Sequence, residues 1–405
     1  MSFQQGLSGL NAASRNLDVI GNNVANAGTV GFKQSQIQFA DVFANSLTGG
    51  GAQAGIGVKV AGVAQQFNQG SITQSSNPLD IAINGGGFYR LSGDGAISYS
   101  RNGQFHADKD GYVVNGNGLR LTGYAANAAG MLNTSVPVDL RLSTADLPPS
   151  ATTRVGGEVN LDSRAAVLNP AAFSLADPDT YSSTTSVPVY DSLGNPSTLS
   201  TYFLKTAANS WDVFAARDGA LLNGGTPVGS LNFLSNGLLD PLTPSTFGVT
   251  AAVTTGASPL AFDLDFAGTT QFGSAFGINA LSQDGYTSGQ LTGFAVGENG
   301  VIRGSYSNGE FLTLGQVALA SFANPQGLEP GGNNTWTESF ASGVPLVGAP
   351  GSGGLGALQA GAVEDSNVEL TSELVNMITA QRVYQANAQT IKTQDQLLQT
   401  IVNLR

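Results

Sequence analysis

The residue types that most often carry catalysis or bind metals are scarce in this chain. It contains no Cys and a single His, His106. The missing cysteines exclude a disulfide framework, a thiol nucleophile and a cysteine zinc site. His106 lies in a strand-like segment, and no serine and carboxylate are spaced to suggest a triad with it. We therefore expect no catalytic role for His106.

Two glycine-containing segments resemble ligand loops only in part. Asp108-Lys109-Asp110-Gly111 begins like a calcium loop, but the third oxygen ligand and the terminal Glu are missing. Gly85-Gly86-Gly87 follows an apolar strand, but it lacks the spacing of a phosphate-binding loop, and a strand-like segment follows it where a helix is needed. A hairpin turn is the better interpretation of the first segment, and we expect no phosphate site at the second.

Two carboxylates, Asp263 and Asp265, share one face of a predicted strand. A glycosidase needs such a pair as its acid and base, but nothing distinguishes these two from the other exposed Asp residues. We therefore predict that the protein is not an enzyme and that it has no cofactor and no metal site.

Composition excludes further classes. The 405 residues carry a net charge of −12, only 11% are charged, and 54 are Gly. An acidic chain lacks the clustered Lys and Arg that nucleic-acid binding requires. The apolar fraction of 41% argues against disorder, and no apolar run reaches the roughly 20 residues of a membrane span. The first residues have no basic segment, so we expect no cleaved secretory signal and, if the chain is exported, another route.

The two ends of the chain are predicted to be helices with apolar residues at seven-residue intervals. The first covers residues 1 to about 26. The second begins at a capping box, Ser366 to Glu369, and continues to Arg405 without Gly or Pro. We predict that the apolar positions of both helices form the self-assembly surface: Phe3, Leu7, Leu10, Leu17, Val24, Leu370, Leu374, Met377, Tyr384, Ile391 and Leu398.

The remaining face of the C-terminal helix is rich in Asn and Gln and nearly free of charge. Solvated helices usually carry interspersed Glu and Lys. Two interpretations stay open. The two ends of the chain form an ordinary two-helix coiled coil, or each helix has neighbours on several sides in a polymer, where amides can be buried without the cost of burying charge.

Between the helices, the pattern is that of β structure. Alternating segments are separated by Asn-Gly and Asp-Gly turns, and residues 187–216 form a meander. The sequence thus predicts a mainly β fold with α-helical termini. It has two β-rich domains, the outer inserted in the inner, and a terminal helical coiled-coil domain. The predicted division is residues 1–30 with 366–405 (helical), 31–70 with 348–365 (extended linker), 71–147 with 281–347 (inner β) and 148–280 (outer β).

Several of these segments resemble the axial proteins of the bacterial flagellum, the family of rod and hook proteins. Residues 22–33 resemble their N-terminal signature, and residues 366–405 resemble their C-terminal signature. Residues 79–89, 99–103, 306–309 and 314–320 are similar to their inner β domain. The signature residues are Asn22, Asn23, Ala25, Asn26, Thr29, Gly31, Phe32, Lys33, Gln381, Arg382 and Asn387.

The middle of the chain favours a hook protein within this family, because residues 189–195 and 211–214 are similar to the hook outer domain. The resemblance implies a subunit that assembles into a curved, flexible tube and acts as a universal joint between rod and filament. It implies extracellular location in the flagellum, export through the flagellar type III apparatus, and contacts with the distal rod, hook cap and hook–filament junction proteins. A distal rod subunit is the alternative, and a secreted β-rich glycan-binding protein is the alternative from another class.

Overall fold

The computed structural model describes residues 2–42, 55, 57–93 and 95–403. Helix α1 covers Ser2–Ala25 and helix α2 covers Leu370–Asn403. At 1.5 Å per residue, α2 is about 51 Å long. Strands and turns fill most of the chain between them, so the predicted fold class, mainly β with helical termini, is confirmed.

Helix α2 begins later than the capping box predicts. The Ser366 hydroxyl accepts a hydrogen bond from the Val368 amide at 3.2 Å. The first helical bond runs from the Glu373 amide to the Glu369 carbonyl. Ser366 is therefore not the N-cap, and its side chain closes a local turn ahead of the helix.

The strands follow in chain order. The first ten are β1 (Ser35–Val42), β2 (Gly57–Gln65), β3 (Ile72–Gln74), β4 (Ile81–Asn84), β5 (Phe88–Gly93), β6 (Ala96–Ser100), β7 (Phe105–Ala107), β8 (Val113–Asn115), β9 (Arg120–Ala125) and β10 (Val138–Asp139). The next ten are β11 (Arg154–Asp162), β12 (Ser183–Tyr190), β13 (Pro196–Ala207), β14 (Ser210–Arg217), β15 (Ala220–Leu221), β16 (Gly229–Asn232), β17 (Thr246–Ala251), β18 (Leu260–Asp265), β19 (Thr270–Phe272) and β20 (Gly277–Gln283). The last nine are β21 (Leu291–Val296), β22 (Val301–Tyr306), β23 (Phe311–Val317), β24 (Leu319–Ser321), β25 (Glu329–Gly332), β26 (Thr335–Thr337), β27 (Leu346–Gly348), β28 (Ala357–Ala360) and β29 (Ala362–Glu364).

The chain divides into two compact units. One contains residues 1–144, 293–305 and 311–405, and the other contains residues 145–292 and 306–310. The second unit is an insertion in the first. Its main segment ends at residue 292, and residues 306–310 add a short second segment. The finer division into four parts stays a prediction.

The first unit contains both helices and a sheet that has 13 strands among the described residues. Its central path is β21-β22-β23-β9-β5-β6-β26-β25. Two short strands link the far parts of the chain, because β3 pairs with β29 and β4 pairs with β28. These pairings bring the segment that leads out of α1 beside the segment that leads into α2.

Part of the region predicted to be an extended linker is a β-hairpin. Strands β1 and β2 pair antiparallel from Ser35 opposite Gln65 to Val42 opposite Gly57. Val58, Val60 and Val63 of β2 supply the β propensity that the glycines before the strand conceal. The predicted linker residues 43–54 and 56 lie outside the described residues.

The second unit has two five-stranded sheets among its described residues. In one, β11 pairs in parallel with β18 and β19 and antiparallel with β20. The other contains the meander β12-β13-β14, in which Phe203 stands opposite Val213. Inward-facing apolar residues of both sheets form one core, with Trp211, Phe203 and Leu199 at its centre. The meander predicted from residues 187–216 is thus present.

The loops that sequence patterns assigned to turns are turns. The Asp108 carboxylate accepts hydrogen bonds from the amides of Asp110 and Tyr112, and Gly111 has φ 84°. The segment Gly85–Gly87 joins strand β4 to strand β5, so no helix N-terminus faces it. Both observations agree with the structural interpretations of these segments.

Candidate functional site

The two terminal helices pack against each other in opposite directions. A Cβ atom on Gly6 would lie 3.0 Å from Ile391 Cγ1, and one on Gly9 would lie 2.7 Å from Asn387 Oδ1. At the other end of α1, the Asn23 side chain reaches Glu373. The glycines that weaken α1 as an isolated helix therefore allow the close approach of α2.

The predicted self-assembly residues of α2 do not form this contact as a set. Leu370, Leu374, Tyr384 and Leu398 are exposed, with fractions from 38% for Tyr384 to 56% for Leu398. Met377 and Ile391 are half-buried. Among residues 370–400 of α2, the buried ones are Ala380 and, near the N-terminal end, Glu373.

The corresponding residues of α1 behave in the same way. Phe3 and Leu7 are 48% and 45% exposed, and Leu10, Leu17 and Val24 are half-buried. Ala12, Ala13 and Ile20 are the buried apolar residues of α1. Sequence periodicity did not single out four further apolar residues that α2 exposes: Val375, Ile378, Val383 and Leu397.

The helices and the β1–β2 hairpin enclose a groove of about 730 Å³. Ala13, Ile20, Ile37, Val58 and Ala380 supply apolar lining. Asn16, Asn376, Thr379 and Asn387 supply polar lining. The groove carries no charge pair suited to catalysis, and its chemistry is that of a packing surface.

Polar contacts at the end of α1 and the start of α2 centre on Asn23, one of the signature residues. Its side chain donates to the Ser35 carbonyl at 2.8 Å and accepts from the Ser35 amide at 2.9 Å. The Glu373 carboxylate accepts from Asn23 Nδ2 at 3.4 Å and from Gln34 Nε2 at 2.7 Å. Asn367 accepts from the Gln34 amide at 2.7 Å. One network therefore ties the end of α1, the start of β1 and the start of α2.

A second network contains three buried charges. Lys33 Nζ lies 2.5 Å from Glu364 Oε1, and Arg101 lies 3.1 Å from Glu364 Oε2. The Gly70 amide also donates to Glu364 Oε1 at 2.9 Å. All three charged side chains are 3% exposed or less. We call Lys33, Arg101 and Glu364 the charge triad.

The charge triad is held by backbone groups as well. Lys33 Nζ donates to the Asn68 carbonyl at 2.7 Å, and Arg101 donates to the Gly85 carbonyl at 2.8 Å. The Gly31 amide donates to the Glu364 carbonyl at 2.7 Å. Gly31 has φ 71°, and a Cβ atom on it would lie 2.5 Å from the Asn102 nitrogen, so this position requires glycine.

Burial lowers the pKa of Lys33, since the charged ammonium loses its water. The Glu364 carboxylate opposes this shift, and the Arg101 guanidinium adds to it. Two cations therefore share one carboxylate, and removal of Glu364 would leave both without their counter-charge.

The other signature residues have local or exposed positions. Asn26 Nδ2 donates to the Asn22 carbonyl at 3.0 Å, and the Thr29 hydroxyl donates to Asn26 Oδ1 at 3.2 Å. Phe32 is half-buried, and Ala25, Gln381 and Arg382 are exposed. The structure brings together Asn23, Gly31 and Lys33 in the two networks at the end of α1 and the start of α2, a region that we call the junction. Asn387 lies where α2 contacts α1.

Sequence reasoning missed four residues of these networks: Arg101, Glu364, Asn367 and Glu373. Lys33 and Glu364 are 331 positions apart, so no local spacing joins them. The sequence offered one signal for these residues. Only 11% of the chain is charged, and a charged residue among apolar strand residues is rarely buried unless it is paired.

The residues considered for chemistry lie in different units. His106 lies exposed on β7 of the first unit. Asp265 pairs with Arg154 in the second unit, which contains the predicted outer β domain and which we call the outer unit. Within the described ranges, no group of three or more metal-binding side chains occurs. No helix among the described residues is long and apolar enough to cross a membrane.

Comparison with known protein families identifies the class of protein first. Four family models match the chain, and their descriptions all concern the flagellum. They are "Flagella basal body rod protein" (residues 3–33), "Flagellar hook protein FlgE/F/G D1 domain" (82–160), "Flagellar basal body protein FlaE D2 domain" (160–286) and "Flagellar basal body rod FlgEFG protein C-terminal" (359–404). The chain thus has the parts of a flagellar axial protein in their order.

Full-length relatives show which family of flagellar axial proteins the chain belongs to. The chain is 44% identical to the flagellar hook protein FlgE of Salmonella typhimurium, with 100% of each chain covered. It is 42% identical to FlgE of Escherichia coli, again over 100% of each chain. It is 33% identical to FlgE of Borreliella burgdorferi, over 100% of this chain and 99% of the relative. The chain belongs to the flagellar hook protein family, which favours the hook interpretation over the distal rod.

A solved structure agrees with the fold. The crystal structure of the Helicobacter pylori flagellar hook protein FlgE2 superposes with a TM-score of 0.53 at 15% identity. The match covers 71% of this chain and 99% of that one. At this identity the match supports the fold alone.

Proposed function

We propose that this protein is the structural subunit of a flagellar hook. Copies stack into a curved, flexible tube that transmits torque as a universal joint between the rod and the filament. In this tube, α1 and α2 form the inner wall around the central channel, and the β units form the outer shell. The role is mechanical and needs no catalytic chemistry.

The exposed apolar surface of α2 carries this proposal. Leu370, Leu374, Tyr384 and Leu398 stay exposed while α1 and α2 are in contact. Exposed apolar stripes of this length mark a protein interface in soluble chains. In a tube, the helices of adjacent copies would cover these exposed residues.

The polar surface of α2 suits the same role. Only Glu373, Arg382, Lys392 and Asp395 are charged among its 34 residues. Amides can be buried between helices at lower cost than charges, since hydrogen bonds between them satisfy both partners. A wall with few charges would also hold a passing unfolded chain only weakly.

The same proposal covers location and partners. The subunit is exported by the flagellar type III apparatus without a cleaved signal, and it lies outside the cell. It contacts the distal rod protein below, the hook cap during growth and the hook–filament junction protein above. What supports these statements is the membership in the hook protein family.

Electron microscopy of the assembled chain tests the proposal. Purified protein in concentrated sulfate, which strengthens apolar association, is expected to form tubes with a central channel and variable curvature. Rigid, straight tubes would indicate a rod subunit. Failure of the unaltered chain to form any tube would contradict the proposal.

A further inference from the structure

A rigid turn of the first unit presents a completely exposed aromatic side chain. Phe340 stands at the apex of the segment 339–343 and is fully exposed. Val344 and Leu346, which follow it, are 89% and 62% exposed. We call Phe340, Val344 and Leu346 the apolar knob.

Hydrogen bonds fix the conformation of this turn. The Ser339 hydroxyl donates to the Gly327 carbonyl at 2.5 Å, and the Ala341 amide donates to the Ser339 hydroxyl at 3.1 Å. The fully buried Ser342 hydroxyl donates to the Ser339 carbonyl at 2.8 Å. Asn324 Nδ2 donates to the Ala341 carbonyl at 3.0 Å.

Close packing adds to these bonds. A Cβ atom on Gly327 would lie 2.4 Å from the Ala341 carbonyl carbon, so the turn rests directly on the backbone below it. Beneath that backbone, Leu328, Phe322 and Trp336 belong to a small aromatic core. The backbone that carries this aromatic is therefore already ordered, and binding has only the freedom of the side chain left to remove.

The charge distribution indicates what covers the knob. Residues 339–363 contain no charged residue, and the whole chain has a net charge of −12. Copies of such a chain repel one another, so contact between them is least costly where each surface is neutral and apolar. A cationic or anionic partner would find no complementary charge in this segment.

We infer that the apolar knob is an anchor for a neighbouring copy of this chain in the assembled tube. The inference rests on the proposed function, because it takes the second copy from the polymer. Phe340 packs against apolar surface of that copy, and the locked turn fixes the backbone from which its side chain projects. Rigid aromatic anchors of this type dominate the energy of many interfaces.

Two phenylalanines of the first unit permit a matched test. Phe311, at the start of β23, is 66% exposed and lies outside the knob. Phe340→Ala is expected to raise the critical concentration for assembly at least about tenfold, and Phe311→Ala at most about twofold. Both variants are expected to melt like the unaltered chain. Equal effects of the two substitutions would overturn the inference.

The absence of cysteine allows a second measurement. Phe340→Cys and Phe311→Cys each introduce one thiol into a chain that has none. In tubes, maleimide labelling at position 340 is expected to be at least about tenfold slower than in monomer, since the anchor is buried. Equal labelling in tubes and monomer would contradict the contact while tube formation upheld the proposed function. If the unaltered chain forms no tube, the function and the contact both fail.

Discussion

The outer β unit and the terminal helices differ in how far they bury their apolar residues. In the outer unit, Trp211, Phe203 and Leu199 are almost completely buried in one core shared by two sheets. On α2, Leu374 and Tyr384 remain exposed although α1 packs beside them. The β unit builds a large core from its own residues, although it exposes several other apolar side chains, whereas the helices leave much of their predicted apolar stripe exposed. We propose that neighbouring copies cover that stripe, so that folding and assembly depend on different parts of the sequence.

Within the first unit, the junction joins the strands to the helices through buried polar groups. The polar groups pair within the charge triad and within the Asn23 network, at distances between 2.5 and 3.4 Å. Buried polar networks of this kind fix one arrangement of the backbone. The junction thus sets where α1 ends and α2 begins, and we propose that the exposed stripes bind neighbouring copies.

The largest effect is expected at the charge triad. Glu364→Ala leaves Lys33 and Arg101 buried without a counter-charge, and loss of one partner of a buried pair costs about 3–5 kcal/mol. Calorimetry should show a lower melting temperature for the unit that contains the helices, with the transition of the outer unit unchanged. Arg164→Ala is the control, because the Arg164 side chain is 65% exposed and an exposed ion pair such as its pairing with Asp162 contributes little to stability. Similar losses from both variants would contradict the role of the triad.

The exposed stripe should affect assembly without affecting folding. Leu370→Ser, Leu374→Ser and Tyr384→Ser each remove apolar contact worth about 2 kcal/mol, or roughly a thirtyfold rise in critical concentration. Sedimentation measures this rise, and melting of the β units should stay constant. Ile391→Ser should act on both properties, since Ile391 also contacts Gly6. Normal tubes formed by the Leu374 and Tyr384 variants would remove these residues from the interface.

The outer unit should lose stability in acid. Burial by itself raises the pKa of Asp191, but hydrogen bonds from Asn195, Thr255 and the Leu193 amide outweigh burial and lower the pKa to about 2. A carboxyl with a lower pKa in the folded state stabilises the fold above its unfolded pKa of about 4, and that contribution is lost as the pH falls toward about 2.

Urea unfolding of the outer unit between pH 5 and pH 2 measures this loss. Asp191→Asn should flatten the dependence on pH, because the variant has no carboxyl to protonate at this position. Asp240→Asn serves as the comparison, since Asp240 only closes an exposed turn through the Leu242 amide. An unchanged pH profile in Asp191→Asn would show that another group is responsible.

The smallest effect compares two glycines of α1. A Cβ atom on Gly21 would have no neighbouring atom within 4 Å, so Gly21→Ala should stabilise the helix by about 1 kcal/mol through propensity alone. Gly9→Ala gains the same propensity but places its methyl group 2.7 Å from Asn387. Circular dichroism should show more helix for the Gly21 variant and less gain, or a loss, for the Gly9 variant. Equal gains would mean that α1 and α2 are not in close contact in solution.

Sequence periodicity predicted the helices and the β meander well, because both signals are local. The seven-residue spacing of α2 and the alternation of residues 187–216 are visible within short windows. Family resemblance supplied Asn23, Gly31 and Lys33. Their partners Glu364 and Glu373 are more than 300 positions away and depend on how the chain returns to the inner sheet. The β1–β2 hairpin was missed because glycines precede β2 and make the segment before it resemble a linker.

Hydrogen exchange of dilute monomer and of assembled tubes tests the central claim most directly, since exchange reports local opening along the chain. We predict that amides of α1 and α2 away from the junction exchange at least about tenfold faster in monomer than in tubes. Amides of the outer β core should exchange at the same rate in both. Helices that are equally protected in a lone, non-associating molecule would contradict the claim that neighbouring copies complete their packing.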